Sequence, residues 1–189
     1  MKRLLVVALV AACGKSDSSP EPLPSRAEGA KTASTQKAST AAFCDIHKAD
    51  DSGPLLQLPA LGEYKIVAKP NTWTWINVWA TWCKPCVEEM PRLAAWQAKL
   101  AKPVSLEFVS VDDSDDVVAV YQKEHHDPPR SARLVDPAAK EAWVTNLGLD
   151  AAAPIPIHIF VSPAGHVRCV RAGSIRESDF AAVQLLLAE

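Results

Sequence analysis

The spacing of hydrophobic positions changes several times along the chain. Leu4 to Ala12 is an unbroken apolar run behind Lys2 and Arg3, whereas Gly14 to Ala42 is rich in Ser, Thr, Ala, Lys and Pro and holds almost no large apolar residue. A segment of that kind cannot offset the entropy of ordering, so 14–42 is expected to be a flexible tether. Trp73 to Ala80 (WTWINVWA) is a β-branched and aromatic run that predicts a buried strand. From Pro85 to about Leu100, the positions Val87, Met90, Leu93, Ala94 and Leu100 recur at helical spacing. Pro85 suits a helix start, and Pro91 is expected to kink the helix. Val104 to Val111 alternates as a strand, and Ser114 can cap a helix over about Asp115 to His125. A short strand follows at Arg133 to Val135, then a helix from Pro137 to Leu147 stopping at Gly148. Pro156 to Val161 and Gly165 to Arg171 read as strands joined by the turn Pro163-Ala164-Gly165, and Ser174 with Glu177 has capping-box spacing ahead of a final helix through Leu187. Strands alternating with helices predict an α/β domain with helices on both faces of a central sheet. The closing strand-turn-strand makes that sheet mixed.

Composition narrows the class. A chain of 189 residues, 48% of them apolar, can bury one ordinary core, and its 20 basic and 22 acidic residues leave no excess of positive charge to hold nucleic acid. The first residues read as an address. Lys2 and Arg3 form a basic start, and the apolar run after them is too short to span a bilayer. Val10-Ala11-Ala12-Cys13 resembles the lipobox of bacterial lipoproteins, whose cysteine is lipidated and becomes the new N-terminus. Residues 1–13 are therefore expected to be a lipoprotein signal peptide with Cys13 as the lipidation site. The location this implies is the bacterial cell envelope, facing the periplasm. Gly14 rather than an aspartate follows Cys13, which leaves inner and outer membrane both open.

With Cys13 taken by lipid, Cys44, Cys83, Cys86 and Cys169 remain. An even set in an extracytoplasmic protein permits full pairing, which would join Cys44 to Cys169 as a structural disulfide; two buried free thiols account for the count equally well. Cys83-Lys84-Pro85-Cys86 follows a predicted strand and opens a predicted helix, the setting in which C-x-x-C is redox rather than structural zinc. On a helical turn the two sulfurs share a face and close a small ring with little backbone movement. Backbone amides at the helix start favour the Cys83 thiolate, and Lys84 adds a positive charge.

The surrounding residues carry a resemblance. Trp79-Ala80-Thr81-Trp82-Cys83-Lys84-Pro85-Cys86 resembles the active site of the TlpA/ResA-like, membrane-attached branch of the thioredoxin family. Glu89 and Pro91 stand where that branch has an active-site glutamate and a helix proline, VDDSDDVVAVYQKEHH is similar to its strand-and-helix insert, and PIHIFVSPAG is similar to its cis-proline, strand and turn. The resemblance implies a thioredoxin fold over 43–189 and a thiol-disulfide oxidoreductase acting on protein thiols or disulfides. In that scheme Cys83 attacks, Cys86 resolves the mixed disulfide, and Glu89 relays a proton to or from Cys86. Pro156 is the matching cis-proline, and Ile155, Trp82 and Pro85 would meet the substrate. The family implies no cofactor, but a reductant of this kind needs a membrane electron donor. Known family roles are reduction of cytochrome c precursor thiols, oxidase copper-site assembly and general repair of envelope disulfides.

Plainer readings stand beside these. Glu89 as an exposed helix carboxylate, Pro156 as an edge-strand proline, Pro154 as a rival cis-proline and Trp79 as core are all compatible with the sequence. His125, His126, His158 and His166 read as loop or surface residues. Ile157-His158 departs from the pair of threonines common in the branch. Two other functions compete with the main reading: a Cu(I)-binding or metal-delivery lipoprotein, with His158 as a third ligand, and a peroxiredoxin-like peroxidase.

Overall fold

The computed structural model describes residues 38–125 and 129–189. The expected signal peptide, Cys13, most of the tether and His126 lie outside those residues. The described chain begins with a short helix, α1 (Thr40–Phe43), capped by Ser39, so the last residues assigned to the tether belong to this folded unit.

A sheet of six strands organises the unit: β1 (Ile46–His47), β2 (Trp73–Trp79), β3 (Val104–Ser110), β4 (Ser131–Arg133), β5 (Ile157–Val161) and β6 (Val167–Ala172), in the order β1-β6-β5-β2-β3-β4. Strand β2 lies inside it, parallel to β3 and antiparallel to β5, and all of its residues are buried. Its alternate side chains Trp75, Asn77 and Trp79 share one face. Trp75 stacks on Phe160 of β5 at 4.7 Å, a contact worth about 0.5–1.5 kcal/mol beyond the area it buries.

Between the strands run α2 (Lys84–Gln97), α3 (Asp115–Glu124), α4 (Ala139–Asn146) and α5 (Phe180–Ala188). Helix α2 continues through Pro91 rather than ending there. The side chains it buries are Cys86, Glu89, Met90, Leu93 and Trp96, so the inward stripe passes through Trp96 and leaves Ala94 exposed. Trp96 meets Phe180 of α5 at 4.9 Å, and Tyr121 of α3 packs against Trp79 at 5.2 Å. Ser114 caps α3 as expected, accepting from the Val117 amide. Past the end of α4, Gly148 takes φ 93°, a conformation open to glycine at little cost.

Two local readings are corrected and one strand is added. The strand expected at Arg133 to Val135 lies at Ser131–Arg133, and Leu134 pairs instead with Leu61 as an isolated bridge. Strand β1 lacked a signal because two residues carry no period. The box expected from Ser174 and Glu177 is built differently: the Asp179 carboxylate accepts from the Arg176 amide at 2.8 Å, because a 3-10 turn at Glu177–Asp179 precedes α5. Cys44, at the end of α1, is disulfide-bonded to Cys169 in β6 across 125 residues of chain, with the Cα atoms 5.5 Å apart.

Candidate functional site

The site forms where β2 ends and α2 begins. Ala80 to Trp82 makes the turn between them, and the buried carboxylate of Asp112 fixes it, accepting from the Thr81 amide at 3.0 Å and the Thr81 hydroxyl at 2.8 Å. Ser110 at the end of β3 donates to the same carboxylate at 2.6 Å. Cys83 is the N-cap of α2 and makes no side-chain cap, so the amides of the first turn are free to favour negative charge on its sulfur. In this structure Cys83 and Cys86 are joined as a disulfide. Cys86 is wholly buried, and the Cys83 sulfur lies 3.8 Å from the Ile155 carbonyl oxygen.

A groove of about 570 Å³ opens beside Cys83, walled by Trp82, Pro85, Val111, Pro137, Pro154 and Ile155. Its lining is mainly apolar. Trp82 is 70% exposed at its rim, a large aromatic surface facing solvent next to a redox pair. Lys84 also lines the groove, and its ammonium lies 3.6 Å from Glu88 in an exposed pair. Of the two candidate prolines, the cis bond is Ile155–Pro156, and Pro154 is an exposed residue of the groove. Trp79 is core: it is fully buried and donates to the Ser131 hydroxyl at 2.8 Å.

Glu89 lies one helical turn beyond Cys86, on the same inward stripe of α2. It is 0% exposed, which rules out a solvated helix carboxylate. Its Oε1 accepts from Asn77 Nδ2 at 2.8 Å and its Oε2 from the Ile175 amide at 2.8 Å. His158 Nε2 is 3.2 Å from Oε1. The reading of His158 as a loop or surface residue is therefore corrected: it sits in β5, opposite Asn77, with no exposed surface. Its Nδ1 accepts from the Trp75 indole at 3.2 Å.

Asn77 and Asp112 were not singled out from the sequence, and His158 was considered there only as a surface residue or a metal ligand. A polar side chain inside a buried strand must find partners, so Asn77 in WTWINVWA was the available signal. The third-ligand role for His158 does not fit, because Trp75 occupies Nδ1 and Nε2 faces Glu89. Among the described residues no cluster of three or more His, Cys, Asp or Glu side chains is arranged to hold a metal ion. His166 is part-buried, its Nδ1 2.7 Å from the Gly53 carbonyl, and His125 stacks on Tyr121 at 3.9 Å.

No family model matches the chain. It is 30% identical over 103 residues to the thiol-disulfide oxidoreductase ResA of Bacillus subtilis, covering 54% of this chain and 54% of that protein. The match thus spans about half the length of that relative. A second ResA, from Oceanobacillus iheyensis, is 26% identical over 137 residues, covering 69% of this chain and 68% of that one. Among solved structures, a thiol-disulfide isomerase from Corynebacterium glutamicum superimposes with a TM-score of 0.55 at 16% identity, covering 74% of this chain and 99% of that one. A thioredoxin-related protein from Neisseria meningitidis gives a TM-score of 0.51 at 24% identity, covering 64% and 88%. The sheet is that of the thioredoxin fold.

Proposed function

We propose that this chain, a homologue of the ResA thiol-disulfide oxidoreductases with a thioredoxin fold, reduces protein disulfides in the cell envelope through Cys83 and Cys86. The observation that carries the reading is the placement of the pair: Cys83 caps α2 beside an apolar groove, while Cys86 is buried behind it. The Cys83 thiolate attacks one sulfur of a partner disulfide, and the electron pair of the broken bond leaves on the other sulfur. Cys86 then attacks Cys83 Sγ, closing the internal disulfide and releasing the partner as a dithiol. The partner has gained two electrons and the Cys83/Cys86 pair has lost them. Trp82, Pro85 and Ile155 would contact the bound segment beside Pro156. Glu89 would take the Cys86 proton.

Anchoring through Cys13 and recharging by a membrane electron donor complete the proposal. Val10-Ala11-Ala12-Cys13 supports the first and the envelope setting the second. The anchor is tested by fractionation, in which Cys13→Ser should move the protein from the membrane to the soluble fraction.

The exchange is tested by trapping. Cys86→Ser should accumulate mixed disulfides through Cys83, Cys83→Ser should accumulate none, and the wild-type chain should reduce a protein disulfide with dithiothreitol as the electron source. Mixed disulfides that persist in Cys83→Ser would count against the assignment of roles.

A further inference from the structure

His158 has no role in the exchange as described, yet it is buried against Glu89, one helical turn beyond Cys86. We propose that His158 is a positioning residue that, with Asn77 and the Ile175 amide, holds Glu89 as the proton acceptor for Cys86; this rests on the exchange reading above.

An indole N–H only donates, so the 3.2 Å contact from Trp75 makes His158 Nδ1 an acceptor. The proton of the neutral ring is therefore on Nε2, the nitrogen 3.2 Å from Glu89 Oε1. With Nδ1 engaged by Trp75, His158 presents its Nε2 toward the carboxylate. Asn77 Nδ2 and the Ile175 amide also donate to Glu89, each at 2.8 Å, so every identified neighbour of this carboxylate offers a hydrogen. Such a set fixes where both carboxylate oxygens lie. At 3.2 Å the approach of Nε2 to Oε1 is a close polar contact without the alignment of a hydrogen bond.

Other charged groups near this ring are turned elsewhere. Arg171 pairs with His158 across β5 and β6, but its guanidinium donates to the Phe43 carbonyl at 2.6 Å and lies 3.8 Å from Asp179. The Cys86 thiol gives its proton to Glu89, the resulting thiolate forms the bond to Cys83 Sγ, and the Cys83–substrate bond breaks with its electron pair on the substrate sulfur. That thiolate recovers a proton from Glu89 by way of water. His158 gains and loses nothing; it sets where the accepting oxygen lies.

The test is single-turnover resolution in the full chain. Reduced protein is mixed with dithionitrobenzoate, and release of the second thionitrobenzoate, as Cys86 attacks loaded Cys83, is followed at about pH 7. His158→Leu should slow release about tenfold, the loss of one donor that orients the accepting carboxylate. His158→Gln, which keeps a donor, should recover most of the rate. In a Glu89→Gln background, His158→Leu should add less than about twofold, since the two would act as one unit. Should His158→Leu not fold, His158→Thr takes its place in both backgrounds. A folded His158→Leu variant with the wild-type rate, or a slowing undiminished in Glu89→Gln, would overturn the proposal. If the wild-type chain releases only one equivalent, Cys86 does not resolve and the exchange reading itself fails.

Discussion

Asp112 braces Thr81: its carboxylate takes both the amide and the hydroxyl of the residue two places before Cys83. The turn that presents the reactive sulfur is therefore tied to the end of β3, not left to the C-x-x-C segment alone. Asp112→Ala strands the Thr81 amide and the Ser110 hydroxyl in a buried setting. It should cost about 2–4 kcal/mol in urea unfolding and slow disulfide reduction, while Asp112→Asn, which keeps an acceptor, should cost less than half as much. Equal losses for the two substitutions would show that the bracing contributes little.

Trp82 should separate binding from folding. With 70% of its surface exposed, Trp82→Ala should leave stability within about 0.5 kcal/mol of wild type. Its aromatic face borders the groove, so kcat/KM for a protein disulfide should fall about 3- to 10-fold, with a much smaller change for a small disulfide reagent. Equal losses on both substrates would place Trp82 outside substrate contact.

The Cys44–Cys169 bond closes a span of 125 residues and ties α1 to β6. Replacing both by serine should lower stability by about 2–5 kcal/mol, measured by chemical unfolding, because the unfolded chain regains its freedom. The Cys83/Cys86 chemistry should persist in the folded variant. Loss of exchange with stability intact would give this bond a redox part.

High pH offers a check on the packing. Burial, and then the hydrogen bond to Glu107, hold the Tyr64 phenol above its usual range, and burial does the same for Tyr121. Both groups keep their protons longer in the folded state than in the unfolded one. The stability they contribute is complete below the ordinary tyrosine pKa of about 10 and is lost as pH rises through the folded values. Tyr64→Phe should flatten the alkaline fall in unfolding free energy; an unchanged slope would remove Tyr64 from this account.

Much of the fold was legible because its main elements are strongly periodic. WTWINVW carries only large and β-branched side chains around one asparagine, and β2 forms there because both faces of that strand are covered. Ser114 marked the start of α3 through its capping chemistry. The two-residue β1 and the turn before α5 were not legible, since pairing with distant β6 and the Asp179 carboxylate decide them. The same holds at the site. Cys83, Cys86 and the cis bond before Pro156 were marked by motif and resemblance, whereas the contacts of His158 to Trp75 and Glu89 depend on the register of β5 against β2. Trp75 and Glu89 stand 83 and 69 positions from His158 along the chain, so no local signal marks these contacts.

The central claim is that Cys83 and Cys86 form a reversible reducing couple. Its most direct test is the reduction potential of that pair in the full chain, equilibrated with dithiothreitol and read by alkylation and mass spectrometry of the peptide that carries it. The account predicts a single two-electron couple near or below the thioredoxin value of about −270 mV. A value toward about −120 mV would contradict the reducing direction, and the absence of any reversible couple would contradict the oxidoreductase itself.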